Sequence, residues 1–341
     1  MNGSHFQSYD HALGPRNGRY FGCGYKRVEH SLSDISIERS MEVGARYSAA
    51  ATLRYPSDWS KKSSKELVPH VSSIDTLVLA ATICELAIVY TRDLNDTEAG
   101  QIWVRRATVR CGTRPHEDLQ NIPVEAVVEG VTEDEPDANT VQTSFSFQVG
   151  ELKGTLVLVH PPGSGPLAVP GVDRFRSSHH VHRGPGKHFY LDGFKDRTLS
   201  GRDIVVSADN TSITGQHRID HEASGQYYGA ESGYPGSISL IDMMLGAAQL
   251  AQILLYTADS LDRSNSNTLW MRKLELTAES PIRPTDGDFA GTAEIRRSNV
   301  VERAGHRWRS VEIAGREFQG VTGSFLLCHQ LPARRERAAH E

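Results

Sequence analysis

The stretch "YPGSISLIDMMLGAAQLAQILLY" occupies residues 234–256. Its Pro-Gly pair favours a turn, and the apolar run that follows predicts a long helix buried on nearly all sides. The helix carries one carboxylate near its beginning, Asp242. A carboxylate at that point either caps the helix N-terminus or takes part in chemistry.

The same pattern occurs earlier in the chain, in "SIDTLVLAATICELAIVY" at residues 73–90. Aligning Asp75 with Asp242 sets an offset of 242 − 75 = 167 residues, and Trp103 then meets Trp270 without a gap. A long apolar helix followed by a Trp-x-Arg strand, twice in the same order, indicates two copies of one structural unit.

Each copy is predicted to combine one long helix with several antiparallel strands, because segments such as "TAEIRRSN" and "RWRSVEIAG" alternate in the way of half-buried strands. One helix wrapped by such a sheet is the hot-dog layout, an α+β arrangement. Two copies predict a double hot dog. We place a first unit with an N-terminal extension at 1–160, a Pro/Gly/His-rich linker at 161–187, a second unit at 188–332 and a charged tail at 333–341.

Composition narrows the possible partners. The 341 residues carry a formal net charge of -5, which argues against nucleic-acid binding. No uninterrupted apolar run reaches the roughly 18 residues of a membrane span, and the polar N-terminus has no signal region, so we expect a cytoplasmic protein without a membrane partner. The cysteines are widely spaced, so we expect reduced thiols, no metal and no cofactor. A monomer or a homodimer is compatible with a fused pair of units.

Two short motifs resemble dehydratases. "HVSSID" (residues 70–75) is similar to the stretch that opens the second helix of polyketide dehydratase domains. "YPGSISLID" (residues 234–242) is similar to the Pro-Gly…acid approach of bacterial hydroxyacyl-ACP dehydratases, with one extra residue before the acid. The resemblance implies that the acid at the helix start works with a histidine from the partner hot dog. However, the full His-x-x-x-Gly-x-x-x-x-Pro motif of the dehydratases does not occur.

A closer resemblance begins at the N-terminus. "LGPRNGRYFGCGYKRVEHSL" (residues 13–32) resembles the opening of the avirulence protein D family, and the duplication resembles that of A-factor synthases, which are hot-dog proteins. The resemblance implies biosynthesis of an acylated signal of the syringolide or butenolide type, a secondary metabolite. The implied partners are a β-ketoacyl thioester on acyl-carrier protein or CoA and a small polyol or sugar acceptor such as xylulose.

The candidate catalytic residues are the two helix acids and nearby histidines, since imidazole transfers protons near neutral pH. Asp242 is preferred over Asp75 because a Pro-Gly turn and a Tyr-rich segment precede it. Either acid is equally interpretable as a cap, and histidines are abundant enough for chance His–Asp neighbours. The full candidate set is Asp242, Asp75, His70, His217, His221 and His30.

The candidate substrate-binding residues fall in two segments. "YFGCGYKRVEH" offers a hydroxyl, cations and an acid close to two glycines that permit near approach of a ligand, and its cations would suit a phosphate on either substrate. "GQYYGAESGYPG" offers tyrosines and the glycine of the turn ahead of the second helix. A plain strand-and-turn or surface loop is the alternative for both. The candidates are Tyr25, Lys26, Arg27, Glu29, Tyr227, Tyr228, Tyr234 and Gly236.

Three functions remain open from the sequence. The leading hypothesis is an acyltransferase or condensing enzyme that passes a β-ketoacyl group from a thioester to a polyol. The second keeps the fold and changes the reaction to that of a dehydratase, cyclase or thioesterase. The third is a non-catalytic binder of a small acyl ligand, in which both aspartates are only caps.

Overall fold

The protein is described by a computed structural model that covers residues 3–62, 67–112, 114–133, 139–164, 169–181, 184, 186–221, 225–263, 266 and 269–332. Its helices are α1 (Tyr9–Leu13), α2 (Ser73–Arg92), α3 (Asp96–Gly100) and α4 (Leu240–Ala258). Short 3-10 turns lie at Arg16–Gly18, Gly24–Arg27, Ser178–His180 and Gly193–Asp196.

The strands follow the alternating segments of the sequence. In the first part of the chain they are β1 (His5–Ser8), β2 (Glu29–Glu38), β3 (Arg46–Arg54), β4 (Trp103–Arg110), β5 (Ile122–Glu133), β6 (Val141–Val149), β7 (Leu152–His160) and β8 (Val172–Ser177). In the second part they are β9 (Lys187–His188), β10 (Arg197–Val206), β11 (Ser212–His221), β12 (Tyr227–Tyr228), β13 (Trp270–Ala278), β14 (Phe289–Arg303), β15 (His306–Phe318) and β16 (Val321–Gln330).

Fourteen of these strands form one sheet in the order β1-β10-β11-β14-β15-β16-β13-β4-β7-β6-β5-β3-β2-β8. Counted outward from the centre of the sheet, the two sides have corresponding strands in the same order. Strand β13 corresponds to β4, β16 to β7 and β10 to β2. All pairings in this sheet are antiparallel, and β9 and β12 form a separate parallel pair. The strand order therefore repeats along the chain as the sequence does.

The two halves meet at the pairing of β4 with β13. Thr108 lies directly opposite Glu275, which is the residue 167 positions later in the chain. When two related antiparallel strands pair, a residue faces its own counterpart only at the axis that relates them. The offset read from the sequence is therefore also the geometric relation between the halves.

Each half has one long helix as its core. Helix α2 contacts strands β2 to β7, while α4 contacts β10, β11 and β13 to β16. By length and composition both helices would pass for membrane spans, yet 94% of the relevant window of α2 and 83% of that of α4 are buried inside the protein. Their apolar surface is covered by the sheet, which explains why neither helix has a polar face.

The predicted linker contains regular structure. Strand β8 pairs with β2 at one edge of the sheet, and the N-terminal strand β1 pairs with β10 at the other edge. Each half therefore receives an edge strand from outside its predicted range. The boundaries at residues 160 and 187 stay predictions, and the tail at 333–341 lies outside the described residues.

The coarse fold prediction is confirmed, since long helices pack on a large antiparallel sheet. The label α+β fits loosely, because strands far outnumber helices among the described residues. The double hot-dog arrangement stays a prediction.

His217 on β11 is part of this core. Its side chain is fully buried, with Nε2 2.5 Å from the Tyr9 hydroxyl and the ring packed against Phe289 and Phe318. Burial lowers the pKa of His217 from 6.5 to about 4 because a charged imidazole would lose its hydration. The ring is therefore neutral at physiological pH.

We expect His217 to make stability depend on pH. Below its unfolded pKa of 6.5, the unfolded chain takes up a proton that the folded chain refuses until about pH 4. The contribution of His217 to the free energy of unfolding is therefore complete above pH 6.5. It falls by about 1.4 kcal/mol per pH unit between pH 6.5 and about pH 4. Urea unfolding of the wild type and His217→Gln should show a shallower decline between pH 6.5 and 4.5 in the variant. Equal slopes would contradict this assignment.

Candidate active site

Helix α2 begins with a reciprocal cap. Ser72 is the N-cap residue: its Oγ accepts from the backbone N–H of Asp75 at 3.1 Å, and its own N–H donates to Asp75 Oδ2 at 2.8 Å. This capping box satisfies two backbone donors that a buried helix end would otherwise leave unpaired. The interpretation of Asp75 as a cap is correct, but the cap uses only part of its carboxylate.

The rest of the Asp75 carboxylate faces two other side chains. His30 Nε2 lies 2.8 Å from Oδ1, and the Tyr55 hydroxyl donates to Oδ2. Burial acts to raise the pKa of Asp75, but the hydrogen bonds and charge of His30, with the hydroxyls of Ser72 and Tyr55, outweigh it and hold that pKa below its usual range. The carboxylate is therefore ionised, and the His30 and Tyr55 side chains and the Ser72 backbone N–H donate to it.

The orientation of His30 follows from these contacts. Its side chain is fully buried and Nε2 carries the proton that Asp75 accepts. In the described part of the chain Nδ1 has no hydrogen-bond partner. The hydrogen bond from Nε2 to Asp75 therefore fixes the orientation of the ring.

Tyr20 connects this buried cluster to open space. Its hydroxyl is 2.6 Å from Ser72 Oγ, and its ring stacks on Tyr55 with 6.3 Å between centroids. Burial, followed by the charge of Asp75, raises the pKa of Tyr20 well above its ordinary value. Tyr20 is therefore a neutral hydroxyl that can donate a hydrogen bond but is a poor proton acceptor.

A cavity of about 590 Å³ opens beside Tyr20 and Ser72. Ser73 in the first turn of α2 lines it, and its far wall comes from the other half through Gln252 on α4 and Trp270 on β13. The volume lies in the range of small-molecule pockets. The start of α2 thus reaches a space built by both halves.

His70 also lines this cavity, five residues before Asp75. Its ring lies 5.5 Å from that of Trp270, and Nδ1 is 3.1 Å from the carbonyl oxygen of Val68. Because a carbonyl only accepts, Nδ1 carries the proton and Nε2 keeps its lone pair. The backbone carbonyl of His70 is 3.2 Å from the Tyr55 hydroxyl, which ties its segment to the Asp75 cluster.

Helix α4 begins with the same cap but in different surroundings. Ser239 and Asp242 form the capping box, and Asp242 Oδ2 lies 3.0 Å from a guanidinium nitrogen of Arg197. Both side chains are nearly fully buried. Within the described residues the polar partners of Asp242 are Ser239 and Arg197, so no histidine contacts it as His30 contacts Asp75.

The space that would correspond to the cavity in the other half is filled. Residues Leu269, Trp270 and Met271 line the open cavity, and their counterparts by the repeat are residues 102–104. Those are covered by Glu231, whose N–H donates to the Ile102 carbonyl at 2.7 Å and whose Oε1 accepts from the Val104 N–H at 3.1 Å.

Buried Arg283 completes this filling. It donates to the Ile238 carbonyl at 2.6 Å and lies 3.4 Å from Glu231. Glu85 of α2, the counterpart of cavity residue Gln252, is also fully buried and lies 3.1 Å from His188 Nε2. Loop side chains thus occupy the α4 end, whereas the α2 end is open. The preference for Asp242 stays a prediction.

The N-terminal motif "YFGCGYKRVEH" (residues 20–30) has two alternative predicted roles, substrate binding or a plain strand-and-turn. Its residues differ in what they contact. Its glycines permit close backbone packing, since a Cβ on Gly22 would lie 2.4 Å from the Arg16 carbonyl oxygen and one on Gly24 2.0 Å from that of Trp59. Its Tyr20 and His30 reach the Asp75 cluster. The motif is therefore a tightly folded support for these two side chains.

The four substrate-binding candidates of this motif lie outside the cavity lining. Tyr25 is buried and stacks on Phe194, and Lys26 donates to Thr198 Oγ1 at 2.5 Å. Arg27 forms an ion pair with Asp58 at 2.6 Å, and Glu29 is exposed and 3.7 Å from Arg54. These contacts hold the motif to the second half and to its own loop.

The candidates before α4 lie at the filled end. Tyr227 donates to Asp196 at 3.0 Å, Tyr228 lies 3.4 Å from His179, and Tyr234 donates to the Gln101 carbonyl at 3.0 Å. Gly236 has φ 101°, which explains the glycine in the turn. The remaining candidate, His221, is exposed at the end of β11.

Sequence reasoning missed Tyr20, Tyr55 and Ser72 as partners of Asp75. Of these contacts, the sequence predicts only the capping box, because Ser-x-x-Asp precedes an apolar run. It also missed the cations of the cavity wall. No group of three or more His, Cys, Asp or Glu side chains that could hold a metal ion occurs in the part of the chain described.

We expect Asp242 to contribute mainly to stability. Asp242→Asn keeps the shape of the cap but leaves the buried Arg197 without its counter-charge, which should lower the free energy of unfolding by roughly 3–5 kcal/mol. The double variant Arg197→Met, Asp242→Asn should recover part of the loss. Urea denaturation measures both, and an Asp242→Asn protein as stable as the wild type would contradict the ion-pair account.

Comparison with known proteins supplies the family. Residues 4–332 match the model of the Pseudomonas avirulence D protein (AvrD) family, and no curated protein matches the sequence. Similar solved structures include a conserved protein of unknown function with a hot-dog fold from Alicyclobacillus acidocaldarius (12% identity, 87% of this chain and 98% of that one, TM-score 0.36). Others are an acyl-CoA thioesterase II from Mycobacterium marinum (9%, 87% and 94%, 0.35) and the dehydratase domain of RzxB from Pseudomonas fluorescens (11%, 84% and 94%, 0.34). These TM-scores are low. The family match spans nearly the whole chain, which therefore belongs to the avirulence D protein family.

Proposed function

We propose that the chain is a double hot-dog enzyme that transfers a β-ketoacyl group from an acyl-carrier-protein or CoA thioester to a polyol such as xylulose, giving a precursor of a syringolide-type butenolide. The observation that carries the proposal is the ionised Asp75 carboxylate, held by His30 and Tyr55 directly behind the wall of a cavity at a helix N-terminus. The family resemblance supports the choice of acyl donor and acceptor.

The double hot-dog assignment rests on the mirrored strand order. Each half provides one buried helix and the same succession of antiparallel strands, and Thr108 faces its counterpart Glu275 where the halves join. A fused pair of this kind builds its two possible sites between the halves, each at one helix N-terminus. The open cavity beside α2 fits that position.

The acyl donor would place its thioester carbonyl at the first turn of α2. The N–H groups there have no intrahelical acceptor, and the positive end of the helix dipole favours the negative charge that develops on the oxygen. Ser73 lines the cavity at this turn, and neutral Tyr20 adds a hydroxyl donor beside it. Such fixed donors stabilise a tetrahedral intermediate without reorganisation.

His70 is the proposed general base. Its Nδ1–H is held by the Val68 carbonyl, so Nε2 can accept the proton of an acceptor hydroxyl. The hydroxyl oxygen attacks the thioester carbon, the new C–O bond forms, and the C–S bond then breaks. The proton on His70 passes to the departing thiolate, which leaves as the free thiol.

Asp75 acts from behind the cavity wall. It is fully buried, so it positions Ser72 and Tyr55, and these in turn hold Tyr20 and the backbone of His70. We therefore assign Asp75 and His30 as positioning residues and His70 and Tyr20 as the groups that meet the substrates. Asp242 keeps the role of a cap with a counter-ion.

The test is incubation of the purified protein with β-ketoacyl-acyl-carrier protein and xylulose, followed by mass spectrometry of the acylated sugar. His70→Gln should lower kcat by about 10²–10⁴-fold because it removes the base. Asp75→Asn should also lower kcat, while the matched variant Asp242→Asn should keep it under conditions where circular dichroism shows a folded protein.

Other outcomes separate the alternatives. Loss of the acyl group at the same rate with and without polyol would indicate a thioesterase, and loss of water from the donor a dehydratase. No change in the donor with any acceptor would indicate a binder. Equal inactivation by Asp75→Asn and Asp242→Asn in folded proteins would contradict the assignment of the α2 end.

A further inference from the structure

The charge of the cavity wall differs from that of the protein. The chain as a whole has 42 acidic and 37 basic residues. Among the described residues that line the cavity there is no Asp or Glu, whereas six are cationic: Arg19, Lys62, Arg114, Arg263, Arg272 and Arg303. A cleft lined by one sign of charge attracts a ligand of the opposite sign.

These cations form two groups. Arg114 and Arg303 are exposed and Arg272 is half-buried, so they lie toward solvent. Arg19 is 3% exposed, Lys62 is 9% exposed and Arg263 is half-buried, so they form an inner group. The inner group is the informative one, because burying several like charges together is unfavourable unless something compensates them.

Contacts with the described residues compensate the two arginines of the inner group only partly. Arg19 has Asp10 as a counter-ion at 2.5 Å and donates to Gln249 Oε1 at 2.6 Å, yet its buried Nε lacks a hydrogen-bond partner in the described part of the chain. Arg263 donates to the Lys61 and Gly18 carbonyls at 3.0 Å each, and no described carboxylate lies within ion-pair distance of it. Lys62 donates to Ser266 Oγ at 3.0 Å.

The electrostatic strain is visible at Arg263. Burial lowers the pKa of its guanidinium, Tyr256 acts against this, and the nearby positive charge of Arg19 lowers it further. Two guanidinium groups that destabilise each other at a cavity wall would both be relieved by a bound anion. The wall is thus better suited to a charged ligand than to an empty or apolar site.

We infer that the inner group Arg19, Lys62 and Arg263 forms a subsite for a phosphate ester carried by one of the two reactants. Guanidinium groups match phosphate oxygens with paired hydrogen bonds, and the ammonium adds a point charge. The inference rests on the proposed function for the identity of the reactants. The phosphate belongs either to a phosphorylated sugar acceptor or to the phosphopantetheine or CoA carrier of the acyl group.

The test is calorimetric titration of the full-length protein with four probes: xylulose, a xylulose phosphate, pantetheine and CoA. One phosphorylated probe should bind at least about tenfold more tightly than its unphosphorylated partner, and more weakly as salt rises. Preference within the sugar pair assigns the phosphate to the acceptor, and preference within the other pair assigns it to the carrier. No preference within either pair would overturn the inference.

Variants locate the subsite. Lys62→Met and Arg263→Met should weaken the phosphorylated probe by about tenfold or more, while Arg263→Lys should retain most of the affinity. Arg54→Met is the matched control, since Arg54 is exposed on β3 and pairs with Glu29 outside the cavity. Equal losses of affinity in Arg263→Lys and Arg263→Met would overturn the assignment. An equal loss of affinity in the control Arg54→Met would overturn it as well.

Binding measurements test the phosphate subsite, and turnover measurements test the proposed function, so the two can be contradicted independently. Phosphate-dependent binding without acyl transfer would contradict the proposed function and leave the subsite intact. Acyl transfer with no preference for phosphorylated probes, and with activity unchanged in Lys62→Met and Arg263→Met, would contradict the subsite alone.

Discussion

The structure depends on how each buried helix begins. An apolar helix enclosed by a sheet cannot leave its first N–H groups without partners, because water is absent there. In both halves a serine and an aspartate three residues later meet that need with the same capping box. A carboxylate is thus fixed at the core of each half for structural reasons, and its neighbours decide whether it can serve a reaction.

Those neighbours differ between the halves. At α2 the carboxylate meets hydrogen-bond donors, His30 and Tyr55, and a cavity lies beyond them. At α4 it meets the full counter-charge of Arg197, and loop residues such as Glu231 and Arg283 occupy the adjoining space. Duplication is compatible with this divergence, since each half can change independently of the other.

The sequence predicted what depends on local periodicity. The two helices, the repeat offset and the strand segments follow from patterns within about 20 residues, and the structure confirms them. The contact of His30 with Asp75 spans 45 residues and depends on how β2 packs against α2, so periodicity carried no signal for it. The preference for Asp242 relied on the turn and the tyrosines that precede it in the sequence. In the structure these residues lie at the filled end, beside the start of α4.

The proposed function places acyl chemistry at the start of α2. It can be tested by a crystal structure of the protein with a hydrolysis-resistant β-ketoacyl pantetheine analogue. We expect the analogue in the cavity, with its carbonyl oxygen near the Ser73 N–H and Tyr20 and its acceptor side facing His70. An analogue bound at the start of α4, against Asp242 and Arg197, would contradict it.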